Sequence, residues 1–168
     1  LLVQMVNTPE EIKAIIQDLK YSPMGNRSYG VNRAQAYGFD FDEYIETWNN
    51  SSSFIIQVES IQAVENIDKL LDFDEVDGVM IGPYDMSGSL GVPGQTSHPL
   101  VIKASLKVIE ACKRHEKSCG TQVADASPES IQNLFDLGYT FAILGSDLFV
   151  LWNWAEQMQK VMTSMRNS

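Results

Sequence analysis

Phe54-Ile55-Ile56-Gln57-Val58-Glu59 and, further along, Gly78-Val79-Met80-Ile81-Gly82-Pro83-Tyr84-Asp85 decide how this chain is read. Each block is a short apolar run that closes on a carboxylate. Runs that are apolar throughout, rather than alternating, predict strands buried on both faces, as parallel strands flanked by helices are. Between the blocks, the pattern from about Ile61 to Leu71 predicts a helix.

The same alternation extends outward in both directions. Upstream, Leu1 to Val6 predicts a strand, and Thr8-Pro9-Glu10-Glu11 is a capping box with proline at the first helical position. Ile12, Ile15, Ile16 and Leu19 then mark one helical face. Tyr21 to Asn50 is richer in Gly, Asn, Ser and aromatics and reads as a long loop with a short helix around Asp42 to Trp48. Loops of that length usually carry function or cover something. Downstream comes a turn-rich stretch from Gly82 to Gln95, then a helix from Pro99 to about His115. Gly120-Thr121-Gln122-Val123-Ala124 predicts a fourth strand. A helix opening at Ser127-Pro128-Glu129 ends at Gly138. Phe141-Ala142-Ile143-Leu144 predicts a fifth strand, before a terminal helix from about Leu148 to Met165.

Two α/β architectures fit: an open doubly wound sheet, or the last five βα units of an eight-fold TIM barrel. The chain opens on Leu1-Leu2-Val3-Gln4-Met5-Val6 without an initiator methionine, which favours the barrel. On that reading residues 1–168 are one barrel domain whose N-terminal strands lie upstream, roughly 90 residues at ~30 per βα unit. Residues 148–168 are then a terminal helix. Its apolar set, Trp152, Trp154, Met158, Val161, Met162 and Met165, reads first as a core-packing stripe and second as an oligomer contact.

With 12 basic against 22 acidic residues, the net charge is -10. A field of that sign repels nucleic acid and anionic lipid, so neither is expected as a partner. Nor does any apolar run approach the ~20 residues of a membrane span. Cys112 and Cys119 form no disulfide framework, and no Cys/His cluster has zinc spacing; two reduced thiols in a cytoplasmic protein is the expectation. If the substrate is an anion, a bound divalent cation would reverse the field locally.

Parallel α/β folds place their chemistry at the C-terminal ends of the strands. There the second strand carries Gln57 and Glu59, two apart and so on one face. The third ends in Gly82-Pro83-Tyr84-Asp85, and the fourth carries Gln122 and then Asp125. Carboxylates at the tips of two adjacent strands can start a hard-cation site, since Mg²⁺ or Mn²⁺ commonly takes one or two protein carboxylates and leaves its other positions to water and substrate. The stiff Gly82-Pro83 turn could aim the backbone N–H groups of Tyr84 and Asp85 at a substrate carboxylate. The competing reading is that Glu59 and Asp85 merely cap the helices that follow.

Gln57-Val58-Glu59-Ser60, then Val76-Asp77-Gly78-Val79-Met80-Ile81-Gly82-Pro83-Tyr84-Asp85-Met86-Ser87 and Leu90-Gly91, resemble the metal-dependent (class II) pyruvate aldolases of the HpcH/HpaI aldolase and citrate lyase superfamily. Among these are 2,4-dihydroxyhept-2-ene-1,7-dioate, 2-dehydro-3-deoxyglucarate and 2-keto-3-deoxy-L-rhamnonate aldolases. Val3-Gln4-Met5-Val6-Asn7-Thr8 resembles the family's fourth strand, where proline is more usual than Gln4. Tyr21-Ser22-Pro23-Met24-Gly25-Asn26-Arg27 resembles its Tyr-Pro-Pro-x-Gly-x-Arg loop, and His98-Pro99 falls where the family has His-Pro.

The resemblance implies a TIM barrel in which Glu59 and Asp85 ligate Mg²⁺ or Mn²⁺ and Gln57 serves catalysis by contacting the pyruvate moiety. The backbone at Tyr84 and Asp85 would receive the substrate carboxylate, and Gln122 would face the substrate at a position often apolar in the family. The implied reaction cleaves a 4-hydroxy-2-oxo acid into pyruvate and an aldehyde through an enolate steadied by the metal, in a cytoplasmic trimer or hexamer. An arginine and a histidine that the family carries on its second and third strands have no counterpart in this sequence. His98 and His115 do not replace them, and Arg27 is expected to order its loop. Two rivals stand beside the lyase: a truncated, non-catalytic barrel that binds metal or 2-oxo acid, and a flavodoxin-like binding module. The latter is weakened by the absence of a Gly-rich phosphate loop after a strand.

Overall fold

The computed structural model describes residues 1 to 166. Five strands alternate with helices: β1 (Leu2–Val3), α1 (Pro9–Leu19), α2 (Phe41–Ser51), β2 (Ile55–Val58), α3 (Ile61–Glu65), α4 (Ile67–Leu71), β3 (Gly78–Ile81), α5 (Pro83–Ser89), α6 (Pro99–Arg114), β4 (Ser118–Gln122), α7 (Pro128–Asp136), β5 (Phe141–Ile143) and α8 (Asp147–Arg166). All neighbouring strands pair in parallel, in the order β1-β2-β3-β4-β5. A doubly wound sheet reverses direction at a switch point. This sheet never does, so of the two architectures the doubly wound one is excluded.

The register lines up the strand ends that carry the polar residues: Val58 faces Ile81, and Ile81 faces Thr121. Every residue of β3 is buried, as are three of the four in β2. On the outer side, α1 buries Ile12, Ile16 and Leu19 while Ile15 is half-buried, and α6 buries Val101, Ala104, Val108, Ile109, Ala111 and Cys112. Burying an Ile, Leu or Val side chain is worth roughly 1.5–3 kcal/mol, well above the tenths that separate helix propensities. Packing on the sheet, not propensity, therefore holds these helices. Both ends of α1 are closed chemically as well: Thr8 accepts from Glu11 N and Glu11 reaches back, which is the capping box anticipated from the sequence.

Several boundaries differ from expectation for local reasons. β1 stops at Val3 because Met5 swings to φ 56° and leaves the sheet. The single helix expected over Ile61 to Leu71 is broken at Asn66, whose side chain donates to the Asn7 carbonyl at 2.9 Å. The turn-rich reading of Gly82 to Gln95 missed α5: Gly82 is its N-cap, Pro83 its first residue, and Met86 anchors it in the core. β4 begins two residues earlier than Gly120 and ends at Gln122. At Gly138 (φ 103°) the end of α7 closes as foreseen: Tyr139 N–H donates to Leu134 O and Gly138 N–H to Phe135 O.

Much of the long loop is ordered. A 3₁₀ turn spans Arg33–Gly38, and α2 is longer than the predicted Asp42 to Trp48. Arg27 lies over the Trp48 ring at 4.2 Å and the Tyr21 ring at 5.5 Å, so its guanidinium orders the loop. The core-packing stripe expected of the last helix is contradicted, because no described residue of α8 is buried, Trp152 being 65% and Trp154 62% exposed. The last two residues of the predicted 148–168 segment lie outside the described residues. Among the described residues no helix is long and apolar enough to cross a membrane.

Candidate functional site

Gln57 and Glu59 leave β2 on the same side, at its C-terminal end. Both are buried, Gln57 at 9% and Glu59 at 4% exposure. Gln57 Nε2 donates to Glu59 Oε2 at 2.8 Å, and the backbone N–H of Met5 donates to Glu59 Oε1 at 2.9 Å. Each carboxylate oxygen thus holds one N–H donor. Neither donor is charged, and no Lys or Arg forms an ion pair with Glu59 among the described residues.

Asp85 sits in the first turn of α5, beyond the end of β3. Burial pushes the Glu59 carboxyl above its ordinary range; the Met5 N–H pulls it back in part, the negative charge of Asp85 raises it again, and Gln57 opposes that. Glu59 packs against Gly82, the N-cap of α5, and Asp85 follows three residues later in the first turn of that helix. The absence of a side chain at Gly82 is what lets Glu59 and Gln57 lie so near the end of β3. A Cβ there would lie 2.7 Å from Glu59 Oε2, 2.9 Å from Glu59 Cβ and 3.0 Å from Gln57 Nε2. Any side chain at position 82 would occupy the space the carboxylate fills.

The capping alternative fails for Glu59. Ser60, not Glu59, is the N-cap of α3, its Oγ accepting from Ala63 N. Asp85 makes no side-chain cap bond, although a negative charge there suits the helix dipole. Above the strand ends lies a hollow of about 160 Å³ whose lining includes Gln57, Tyr84, Asp85, Gln122 and Phe149. The sequence-derived substrate-facing residues Gln57, Tyr84, Asp85 and Gln122 therefore meet at one place, with Glu59 buried directly behind Gln57 and Gly82. No Lys, Arg or His is among the lining residues.

Three further polar residues are accounted for elsewhere. Asp125 accepts from Ser127 N and Ser127 Oγ, shaping the approach to α7. His98 caps α6, its Nδ1 accepting from Leu100 N at 3.2 Å. His115 closes the far end of the same helix beside Asp68 and Asp72. Sequence reasoning missed Met5, which acts through its backbone, and Phe149, which reaches the hollow from α8. A backbone donor leaves no trace in side-chain identity, and an aromatic inside an apolar helix looks like packing.

The sequence profile of the HpcH/HpaI aldolase/citrate lyase family matches residues 1–153. The hydroxypyruvate/pyruvate aldolase of Roseobacter denitrificans is 36% identical over 155 residues, which cover 91% of this chain and 59% of that protein. A 2-keto-3-deoxy-L-rhamnonate aldolase of Salmonella schwarzengrund is 35% identical over 150 residues, 88% of this chain and 55% of its own length. The chain thus spans little more than half the length of these relatives. Among solved structures, an HpcH/HpaI aldolase/citrate lyase family protein from Burkholderia cenocepacia superposes with a TM-score of 0.87 at 27% identity, covering 96% of this chain and 64% of that one. The HpcH/HpaI aldolase from Desulfitobacterium hafniense gives 0.83 at 26%, covering 96% and 62%. Together with the parallel sheet and the strand-end polar cluster, these matches make the chain a member of the HpcH/HpaI aldolase/citrate lyase family.

Proposed function

We propose that this chain carries the metal-binding part of a class II pyruvate aldolase, an aldehyde-lyase. In this reading Glu59 and Asp85 hold a divalent cation, Mg²⁺ or Mn²⁺, and the substrate is a 4-hydroxy-2-oxo acid cleaved to pyruvate and an aldehyde. The observation that carries it is the buried Glu59 carboxylate, held by two neutral N–H donors with no Lys or Arg paired to it among the described residues, next to the hollow that Asp85 lines. Two hard oxygen donors, Asp85 on the wall of the hollow and Glu59 buried behind that wall, suit a hard divalent ion, which would neutralise both negative charges. Bound there, such an ion supplies Lewis-acid stabilisation of the negative oxygen that develops on the 2-oxo acid.

The chain's own residues then have definite tasks. Glu59, held by Met5 and Gln57, presents a fixed ligand geometry. Gln57, already oriented by Glu59, offers the rest of its amide to the pyruvate moiety. The N–H groups of Tyr84 and Asp85 in the first turn of α5 lack intrahelical acceptors and suit a substrate carboxylate. Gln122, across the hollow, contacts the remainder of the substrate. The one-way order of the strands supports reading residues 1–168 as one domain, an arc of an eight-stranded barrel. Two buried, unpaired cysteines suit a cytoplasmic protein, and the exposed apolar α8 suits a homo-oligomer, a trimer or hexamer.

The test is pyruvate release from a 4-hydroxy-2-oxo acid, followed with lactate dehydrogenase. Activity should vanish in chelator, return with Mg²⁺ or Mn²⁺, and fall at least about a hundredfold in Asp85→Asn, since Lewis-acid stabilisation is worth several kcal/mol. Full activity in that variant would refute Asp85 as a ligand. One observation favours a second reading, a metal- and oxo-acid-binding chain without turnover: no basic or imidazole group lines the hollow to stabilise an enolate or move a proton. Calorimetric binding of Mn²⁺ and pyruvate with no product formed would decide for it.

A further inference from the structure

One oxygen of Glu59 is held by the backbone of the Met5 segment rather than by a side chain of the site. Met5, whose N–H reaches Glu59 Oε1, has φ 56°, in the left-handed region that non-glycine residues rarely adopt. Such a conformation persists only where its surroundings over-determine it. Asn7 supplies those surroundings. Its Nδ2 donates to Met5 O at 2.7 Å, and its Oδ1 accepts from Ser60 Oγ, the residue next to Glu59. Its backbone is fixed too: the N–H donates to Glu11 Oε2 at 2.6 Å, and the carbonyl accepts from Asn66 Nδ2 at 2.9 Å.

We propose that Asn7 is a positioning residue for the cation site: its amide clamps the Met5 segment to Ser60, and so keeps the Met5 N–H on Glu59. The inference rests on the metal reading of Glu59 and Asp85. An amide is the side chain the place requires. The Met5 carbonyl needs a donor and the Ser60 hydroxyl an acceptor, from groups two bonds apart. Aspartate would meet only the second need and would add a third negative charge near Glu59 and Asp85. Alanine meets neither. Groups that orient a metal ligand typically change affinity by 10–100-fold when lost.

The experiment measures the Mn²⁺ dissociation constant by electron paramagnetic resonance for the wild type, Asn7→Ala and Ser127→Ala. The last removes the N-cap of α7, away from Met5, and controls for general loosening. The expected result is roughly ten- to a hundredfold weaker binding in Asn7→Ala and wild-type affinity in Ser127→Ala. Equal affinity in Asn7→Ala and the wild type would overturn the positioning role alone, as would an equal loss in both variants. No Mn²⁺ binding by the wild type would overturn the metal reading, and the positioning role with it. Should Asn7→Ala not fold, the wild-type ¹⁵N–¹H spectrum still decides. The Met5 amide must exchange slowly with deuterium and move when Mg²⁺ is added; fast exchange overturns the proposal.

Discussion

At the scale of single residues, the site is a problem of crowding solved by one missing methyl group. Gly82 has φ -101°, which any residue could adopt, so conformational freedom is not why glycine stands there. The reason is contact: a Cβ would meet Glu59 at both its Cβ and its Oε2. The Glu59 Cβ is tied to the backbone and cannot swing away, so Gly82→Ala must displace the carboxylate, the strand end, or both. Overpacking of this kind costs about 1–3 kcal/mol. Thermal melting should show that loss, and calorimetry should show at least a tenfold drop in Mg²⁺ affinity. A variant that melts and binds like the wild type would mean the turn relaxes and the packing argument is wrong. The placement of Gln57 and Glu59 on one face was legible because they stand two apart at the end of a strand, whereas Asp85 was placed only by the apolar run before it, since it lies in a helical turn. Met5 was not, because its contribution is a backbone N–H aimed by an unusual φ, and residue identity carries no such information.

Among the elements, legibility followed burial. The central strands were readable as unbroken apolar runs, and α1 and α6 because their apolar positions repeat with the helical period that packing on a sheet demands. α5 was misread, since Gly, Pro and Ser suggest a turn, whereas Gly82-Pro83 serves here as the start of a helix. The α4–α6 contact shows how little a surface charge adds to such packing. Asp68 on α4 accepts from Arg114 Nη2 at 2.6 Å and lies 3.2 Å from His115 Nε2. The Arg114 hydrogen bond holds its carboxyl below the ordinary value of 3.8. A depressed folded-state value means the stabilisation is present above 3.8 and disappears as pH falls through the lowered value. Both side chains are more than half exposed, so the pair is worth no more than about 0–1 kcal/mol. Asp68→Asn should therefore lower the melting temperature slightly at pH 7, not at all well below the lowered value, and hardly at all in 1 M salt. A large loss that persisted in salt would contradict this assignment.

α8 poses the opposite case. It has 20 residues and none of those described is buried, yet most helical stability in proteins comes from packing an apolar face. Leu148, Leu151, Trp152 and Trp154 are all more than 60% exposed. From the sequence, a core stripe and an oligomer contact looked alike, because both need the same apolar residues; only the position of the sheet separates them. If another copy covers this helix, light scattering at micromolar concentration should give a multiple of 18.8 kDa. Trp152→Glu with Trp154→Glu should return the mass of one chain while the far-ultraviolet spectrum keeps its sheet component. A wild type that is already monomeric would remove the argument.

For the whole molecule, the governing fact is a charge of -10 set against a proposed anionic substrate. The hollow adds nothing to overcome that field, being lined by amides, apolar groups, Tyr84 and the carboxylate of Asp85. In a neutral protein the N–H groups of the first turn of α5 could attract a carboxylate unaided. Here they compete with Asp85 in the same turn and Glu59 behind it. Pyruvate binding should consequently depend on the divalent ion, which cancels two local negative charges and contributes attraction of its own. The coupling is reciprocal: whatever factor Mg²⁺ adds to pyruvate affinity, pyruvate must add to Mg²⁺ affinity. Titrating pyruvate into the protein in chelator should yield no heat beyond dilution, and in millimolar Mg²⁺ a saturable isotherm. Measuring Mg²⁺ with and without pyruvate should return the same ratio. Because Asp85→Asn removes a negative charge while leaving the amide donors in place, it should weaken the ion-dependent binding without creating ion-independent binding of comparable strength. Tight pyruvate binding by metal-free protein would show that the backbone donors suffice against the field, and the cation would then have no role in capturing the substrate.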